Sequence, residues 1–384
     1  MDKKTLLFAL LRFAVFGTGD AEALRSALTV PRLQGLYALA KRHDLAHLLA
    51  HAVHELGFVG EDPIFAALER ELLLAIYRVE QLRFTLDEIA LTLAEAKIPY
   101  MPLKGSVLRA AYPEPWMRTS CDVDVLVREE QLSAAIEALQ AKGYTVDDHE
   151  IYHDVSMHSP TGMHLELHFH LGLLMPVIDA VLAPVWDYAV CDEGYRYRMT
   201  DEFFYFHQIA HAARHFKIGG CGIRPFLDIY LLSHEKGVRE GATLHDLLAR
   251  SELVSFYENA VALSEAWFGE GTHTEITQAM ERFLLDGGVY GTEKNRISVD
   301  QAKTGGRFAY AMQRIFMPLR LLKKKYPVLN KYPILYPFCQ IHRFFRILFT
   351  RRAGAAVTEL KQNATIKEET GRERLELFHT LGIE

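Results

Sequence analysis

Cysteine is scarce in this chain. Its 384 residues hold four, Cys121, Cys191, Cys221 and Cys339, with no Cys-x-x-Cys pair and no zinc-type spacing among them. That argues against a disulfide scaffold or a cysteine-based zinc site and points to a reduced, cytoplasmic protein. No apolar run is long enough to cross a bilayer. Near the start, Lys3 and Lys4 precede an apolar stretch from Leu6 to Val15, but Arg12 interrupts it and no clear small-x-small cleavage site follows. An amphipathic first helix is expected there rather than a secretion signal. Internal repeats and low-complexity segments are missing, and so is the His-Glu-x-x-His pattern of zinc proteases around His207 and His211. Acid is missing from one long stretch. Between Gln301 and Thr358 there are twelve lysines and arginines and no Asp or Glu, so with the whole chain at −6 the remainder bears −18. A block of this kind implies an anionic partner or surface.

What is present is ordinary globular composition, 49% apolar and 24% charged, over a length that suits two or three packed units. Residues 1–97 read as helices, with Leu33, Leu36, Leu39 and Ala40, then Leu72, Ile76, Val79 and Leu82, at helical spacing. The period then changes. Ile98 to Leu103 reads as a short strand, and Lys104-Gly-Ser106 opens a helix to about Tyr112, ended by Pro113 and Pro115. Cys121 to Val127 alternates as a strand, Glu129 to Lys142 is a helix closed by Gly143, and Met163 to Leu171 alternates again. Helical patterning returns from Asp201 to about Phe268, and after Arg307 the chain is helical, basic and broken by Pro318, Pro327, Pro333 and Pro337. The expected class is α+β: a helical region over 1–97, a sheet-bearing core over 98–200, a helical domain over 201–300, and a basic, aromatic tail over 301–384.

Side chains two apart on a strand face the same way. Asp122 and Asp124 therefore share a face, while Val123, Val125 and Val127 share the other. Two carboxylates on one apolar ridge repel unless a cation sits between them, and their hard oxygens suit Mg²⁺ or Mn²⁺. The next alternating strand supplies Glu166 between Leu165 and Leu167. Three acids on neighbouring strands can hold two ions for an in-line displacement at phosphorus. The turn Leu103-Lys-Gly-Ser106 adds a strand end, a glycine for close backbone approach, and a helix start whose N–H groups favour an anion. Lys104 and Ser106 can add a charge and a hydroxyl, and Arg118 is a further phosphate candidate.

Leu103-Lys-Gly105, Arg118, Asp122-Val-Asp-Val-Leu-Val127 and Leu165-Glu-Leu-His168 together resemble the signature of bacterial nucleotidyltransferase-like proteins of the DNA polymerase beta superfamily. The closest resemblance is to the family whose turn reads Leu-Lys-Gly, and it covers about Leu33 to Leu232. It implies a nucleotidyltransferase-fold mixed sheet with flanking helices. It implies that Asp122, Asp124 and Glu166 bind metal and serve catalysis with His168, and that Gly105 and Ser106, with Lys104 and Arg118, meet a nucleoside triphosphate. Superfamily members of defined activity usually carry Gly-Ser or Gly-Gly at the turn, without the lysine that precedes Gly105 here. The expected reaction moves a nucleoside monophosphate onto an acceptor hydroxyl that the sequence does not identify.

Two other readings stand beside it. One is a non-catalytic nucleotide- or partner-binding relative with a regulatory or antitoxin-type role. The other is a transition-metal protein, because His164, His168 and His170 share the face of Glu166 in an alternating strand. His207, His211 and His215, four apart, form one helical stripe, with Arg224 and Asp228 following at helical spacing. In the tail, lysine and arginine alternate with Tyr326, Tyr332, Tyr336, Phe338, Phe344, Phe345 and Phe349. Nucleic-acid binding is one use of that pattern. Contact with an anionic membrane surface, or docking onto the acidic remainder of the chain, is preferred here, which makes the expected location cytoplasmic and peripheral to the membrane.

Overall fold

The helix-start signals sit where helices begin. Asp2, Asp20, Thr29 and Asp62 cap α1 (Lys3–Phe16), α2 (Ala21–Ala27), α3 (Val30–Arg42) and α5 (Pro63–Glu95), each accepting a backbone N–H through its side chain. Between them lies α4 (Ala46–Glu55). The structure is a computed structural model and describes residues 1–147, 153–234, 238–288, 293–348, 352–366 and 368–383. Leu6, Leu7, Leu10 and Leu11 of α1 are fully buried, as expected of an amphipathic first helix. No described helix is long and apolar enough to cross a membrane.

A seven-stranded mixed sheet follows, in the order β3-β4-β5-β2-β1-β7-β6. Its strands are β1 (Tyr100–Pro102), β2 (Asp122–Val127), β3 (Thr145–Val146), β4 (Asp154–His158), β5 (His164–His168), β6 (Ala189–Glu193) and β7 (Arg196–Met199). At its centre β2 and β5 run parallel, with Asp122 opposite His164, Asp124 opposite Glu166 and Leu126 opposite His168. β1 and β4 flank them, both antiparallel. The alternation divides the sheet into two unlike faces. Val123, Val125, Val127, Val155, Met157, Leu165 and Leu167 form one, and they pack in a single cluster with Leu82, Ile89 and Leu93 of α5 and with Ala135 and Leu139 of α7 (Leu132–Ala141). The other face carries the acids and histidines, and it looks toward the helices that follow.

Between β1 and β2 lies α6 (Gly105–Leu108), a single α-turn continued by a 3₁₀ turn over Arg109–Ala111. The helix expected to reach Tyr112 is thus cut short. Tyr112 precedes Pro113 and adopts extended backbone, which proline imposes on its predecessor. A turn of this length sums little helix dipole, so the anion site expected at its N-terminus loses that contribution. The strand expected to reach Leu171 ends at His168, because the N–H groups of Phe169 and His170 both turn to the carbonyl of His153.

Between β5 and β6 lies α8 (Pro176–Leu182), and after the sheet come α9 (Asp201–Ile218), α10 (Arg224–Ser233), α11 (Ala242–Arg250), α12 (Val254–Phe268) and α13 (Glu275–Asp286). One large core joins α1–α4 to these helices, through residues such as Leu10, Leu48, Phe206, Phe226, Phe256 and Trp267. The basic segment is a chain of helices: α14 (Glu293–Thr304), α15 (Arg307–Ile315), α16 (Leu319–Lys325), α17 (Val328–Lys331), α18 (Tyr336–Leu348), α19 (Arg352–Thr365) and α20 (Glu368–Thr380). Its end is anchored, because Leu377, Phe378, Leu381 and Ile383 are buried in the main core. Among the described residues its middle forms two small clusters, Ile297 with Tyr310 and Ile366, and Leu322 with Leu329 and Cys339. Phe349 lies outside the described residues.

Candidate active site

The polar face of the sheet, the turn after β1, and α9 and α10 enclose a cleft of about 400 Å³. Asp122, Asp124, Glu166 and His168 line it from the sheet, Lys104 and Gly105 from the turn, and His207, His211, His215, Arg224 and Asp228 from the helices. All three stripe histidines therefore reach the same cleft as the carboxylates. The rings of His211 and His215 lie with centroids 4.4 Å apart, tilted 59° to one another.

The carboxylates are unequally matched. Lys104 Nζ lies 2.7 Å from Asp124 Oδ1 and 3.5 Å from Glu166 Oε2. His168 Nε2 reaches the same two oxygens, at 2.9 and 3.3 Å. Burial by itself would raise the Asp124 carboxyl, but Lys104 and His168 outweigh it and hold it well below the usual carboxylate range. The hydrogen bond from His168 likewise lowers Glu166. Asp122 behaves oppositely: burial first, then repulsion from Asp124 and Glu166, pushes its carboxyl up. Among the described residues no cationic side chain pairs with it. His207 and His215 are pushed down by burial, to about 3 and about 4, so they stand in the cleft as neutral imidazoles.

Two overlapping donor sets on this ridge could take a metal ion, Asp122 with His164 and Glu166, and Asp124 with Glu166 and His168. A third, His153 with Asp154 and His168, lies at the β4 side. Asp122 has no ion-pair partner among the described residues, and its repulsion from Asp124 and Glu166 is what a divalent cation would relieve, so the donors fit a hard ion with carboxylate and imidazole ligands.

The remaining expected residues are placed as follows. Gly105 is buried at the bend, where an added Cβ would stand 3.2 Å from Cβ and Oγ of Ser120. Ser106 does not line the cleft, and its Oγ is buried without a hydrogen-bond partner among the described residues; Ser120 lines the cleft instead. Arg118 is buried, and its Nε donates to Asp228 Oδ1 at 2.7 Å, which also accepts from the hydroxyl of Tyr112 at 2.7 Å. His170, past the end of β5, is half exposed beside Glu129 at 3.3 Å. Sequence reasoning did not find His153, Asp154, Asp44 or Arg214, all of which line the cleft. Asp44 pairs with Arg224 at 2.5 Å across 180 positions of sequence, a contact no local pattern signals.

A mixed sheet with an Asp-x-Asp strand, a third acid on its parallel neighbour and a glycine turn at the cleft defines a nucleotidyltransferase-like protein. The family model described as an uncharacterised nucleotidyltransferase matches residues 31–269, and the chain belongs to that family. No curated protein and no solved structure matches the chain.

Proposed function

We propose that the cleft catalyses metal-dependent nucleotidyl transfer, in which an acceptor hydroxyl attacks the α-phosphorus of a nucleoside triphosphate, a new oxygen–phosphorus bond forms, and the bond to the leaving pyrophosphate breaks. The observation that carries this reading is the clustering of Asp122, Asp124 and Glu166 on one sheet ridge, in donor sets that could hold a metal ion, within a cleft that also holds cationic side chains. Asp122, Asp124, Glu166 and the flanking His164 and His168 would hold Mg²⁺ or Mn²⁺, which when bound polarises the phosphate oxygens and neutralises developing charge. Gly105 would let the backbone approach the phosphates and Lys104 would contribute positive charge beside them, while Arg118, paired with Asp228, holds β2 against α10. Glu166, held in its ionised form by the hydrogen bond from His168, would hold the ion nearest the acceptor or take the acceptor proton. His168 orients Asp124 and Glu166 by bonding both.

A screen of the four ribonucleoside triphosphates against mixed acceptor pools, read as pyrophosphate release, tests this. Release is expected with the parent chain and lost in Asp122→Asn and Asp124→Asn, whose circular dichroism should match the parent. Metal-dependent nucleotide binding with no release against any pool would support the non-catalytic binding reading instead.

For the basic segment the proposed partner is an anionic membrane surface. Phe308, Phe316, Ile334, Phe338, Ile341 and Phe345 are each more than half exposed, and they lie in a stretch that includes Arg320, Lys323, Lys331 and Arg346 and carries no acid. Not all of its cations are available. Arg314 pairs with Glu359, and Arg343 is buried, donating to the carbonyls of Arg314 and Ile315 at the end of α15.

A further inference from the structure

Resting on the reading of Asp122, Asp124 and Glu166 as metal ligands, we propose that the Lys104 ammonium is a tethered cation occupying one of the two ion positions. The resting protein would then take a single divalent ion, on the Asp122 side.

The geometry separates the ridge into a satisfied half and an unsatisfied half. Asp124 Oδ1 and Glu166 Oε2 are bridged twice, by Lys104 Nζ at 2.7 and 3.5 Å and by His168 Nε2 at 2.9 and 3.3 Å. Those two oxygens are among the donors a second ion would need. The Lys104 side chain is about one-fifth exposed and Asp124 is buried, so solvent screens this pair little. Asp122 lies two residues along the strand, with His164 and Glu166 within ligating reach; Lys104 acts on it only at a distance, and among the described residues no lysine or arginine forms an ion pair with it.

The backbone supports a dedicated placement. Lys104 has φ +42° and ψ −119°, a conformation that a non-glycine residue adopts only where its surroundings enforce it. The carbonyl of Lys104 accepts from the N–H groups of Val107 and Leu108, and the Leu103 N–H donates to the carbonyl of Asp124, so the residue is pinned on both sides. A side chain that served only solvent would gain nothing from this bend. Here the bend directs a flexible four-carbon arm onto the two acids. An ammonium carries one charge where Mg²⁺ or Mn²⁺ carries two, and its arm can leave when phosphate oxygens offer it a better partner. Lys104 would thus hold the second position until nucleotide arrives.

Mn²⁺ titration of the full chain without nucleotide tests this, read by calorimetry and by electron paramagnetic resonance of free and bound ion. The parent is expected to bind one Mn²⁺. Lys104→Met is expected to bind two, with the broadened signal of a coupled pair. Its melting temperature should fall below the parent's without metal and rise more steeply with Mn²⁺. Lys104→Gly, which relaxes the bend while removing the ammonium, should also bind two and guards against a folding failure of the first variant. A parent that binds two ions overturns the lysine proposal and leaves the metal ridge standing. Variants that are folded and still bind one ion overturn it equally. A parent that binds none overturns both this proposal and the metal reading on which it rests.

Discussion

The strongest test of how this cleft is held together is the buried latch between Arg118 and Asp228. Arg118 lies just before β2 and Asp228 lies on α10, so their contact fixes the acid-bearing strand against the helices that close the cleft. Both side chains are less than a tenth exposed. Burial would weaken the guanidinium's charge, but Asp228 outweighs it and keeps Arg118 firmly protonated. The same carboxylate, with burial, holds the Tyr112 hydroxyl well above its usual range and therefore protonated as a donor. Asp228→Ala leaves a buried guanidinium with backbone carbonyl contact only, and a buried phenol with no acceptor. Breaking a buried pair from one side costs about 3–5 kcal/mol. Unit charges some 4 Å apart at an effective dielectric near 20 interact by about 4 kcal/mol, which is consistent. For a chain of this length, unfolding as one unit, an entropy of roughly 0.8 kcal/mol/K turns that loss into a fall in Tm of roughly 5 °C.

Urea unfolding followed by tryptophan fluorescence and circular dichroism measures the loss. The informative comparison is a double-mutant cycle. Arg118→Met with Asp228→Leu removes both charges and fills the space with apolar atoms, so it should recover most of what Asp228→Ala loses. A coupling of about 2–3 kcal/mol is expected between the two positions. If Asp228→Ala costs less than about 1 kcal/mol, or if the two losses simply add, the latch is not what positions β2, and the reasoning from burial fails.

Gly105→Ala should weaken metal-dependent triphosphate binding with a smaller effect on Tm, since its Cβ would press on Ser120 at 3.2 Å; unchanged affinity in a folded variant would count against close phosphate approach at this turn. His43 is fully buried, with neither ring nitrogen hydrogen-bonded among the described residues, and burial pushes it from 6.5 down to about 4. Its folded-state pKa is depressed, so the unfolded chain takes up the proton first. The stability of the neutral form is intact above about pH 6.5 and falls as pH drops toward 4, by about 3 kcal/mol for this group. His43→Leu should flatten the acid limb of stability against pH by that amount, and an unchanged limb would show that His43 does not drive it. Sedimentation with anionic and neutral vesicles should carry the parent down with the anionic ones only, and less so at high salt, while Phe338→Ser with Arg346→Glu should stay in the supernatant. Truncation near residue 306 is a poor substitute, because it removes Phe378 and Leu381 from the main core.

The parts of this fold that could be read from sequence are those where one face of an element is buried and the other is not. β2 and β5 announced themselves because Val123, Val125, Leu165 and Leu167 sit against α5 and α7 while acids alternate with them. β4 was not recognised: it alternates only Val155 and Met157 with Asp154, Ser156 and His158, too short a pattern to separate from a polar loop. β6 is the edge strand and almost wholly exposed, so burial imposes no period on it, and β7 alternates over only four residues, too few to stand out. Asp122, Asp124, Glu166 and His168 were legible for the same reason as their strands. His153, Asp44 and Arg214 were not, since each enters the cleft from an element whose position is set by tertiary packing. His170 illustrates the limit of a correct period: it alternates properly with Phe169, but backbone bonds to His153 end the strand before it.

The charges of the cleft suggest how its selectivity would arise. Lys104 is matched by Asp124, Arg118 by Asp228, and Arg224 by Asp44. Each pair joins different parts of the chain, and each spends a cation that would otherwise attract phosphate. Arg214 lines the cleft and has no carboxylate partner among the described residues; its Nε donates to the carbonyl of Leu173. With Lys104, Arg118 and Arg224 so committed, and six carboxylates lining the cleft against four lysine and arginine side chains, the cleft offers a triphosphate no net positive charge. Binding of a polyanion here must bring cations with it or release one from its partner. On the proposed metal reading, Asp122 would take the first, and Lys104 would provide the second by leaving Asp124. A site built this way would discriminate against free anions that arrive without metal, and would favour a metal-bound triphosphate whose charge and ligands complete the ridge together.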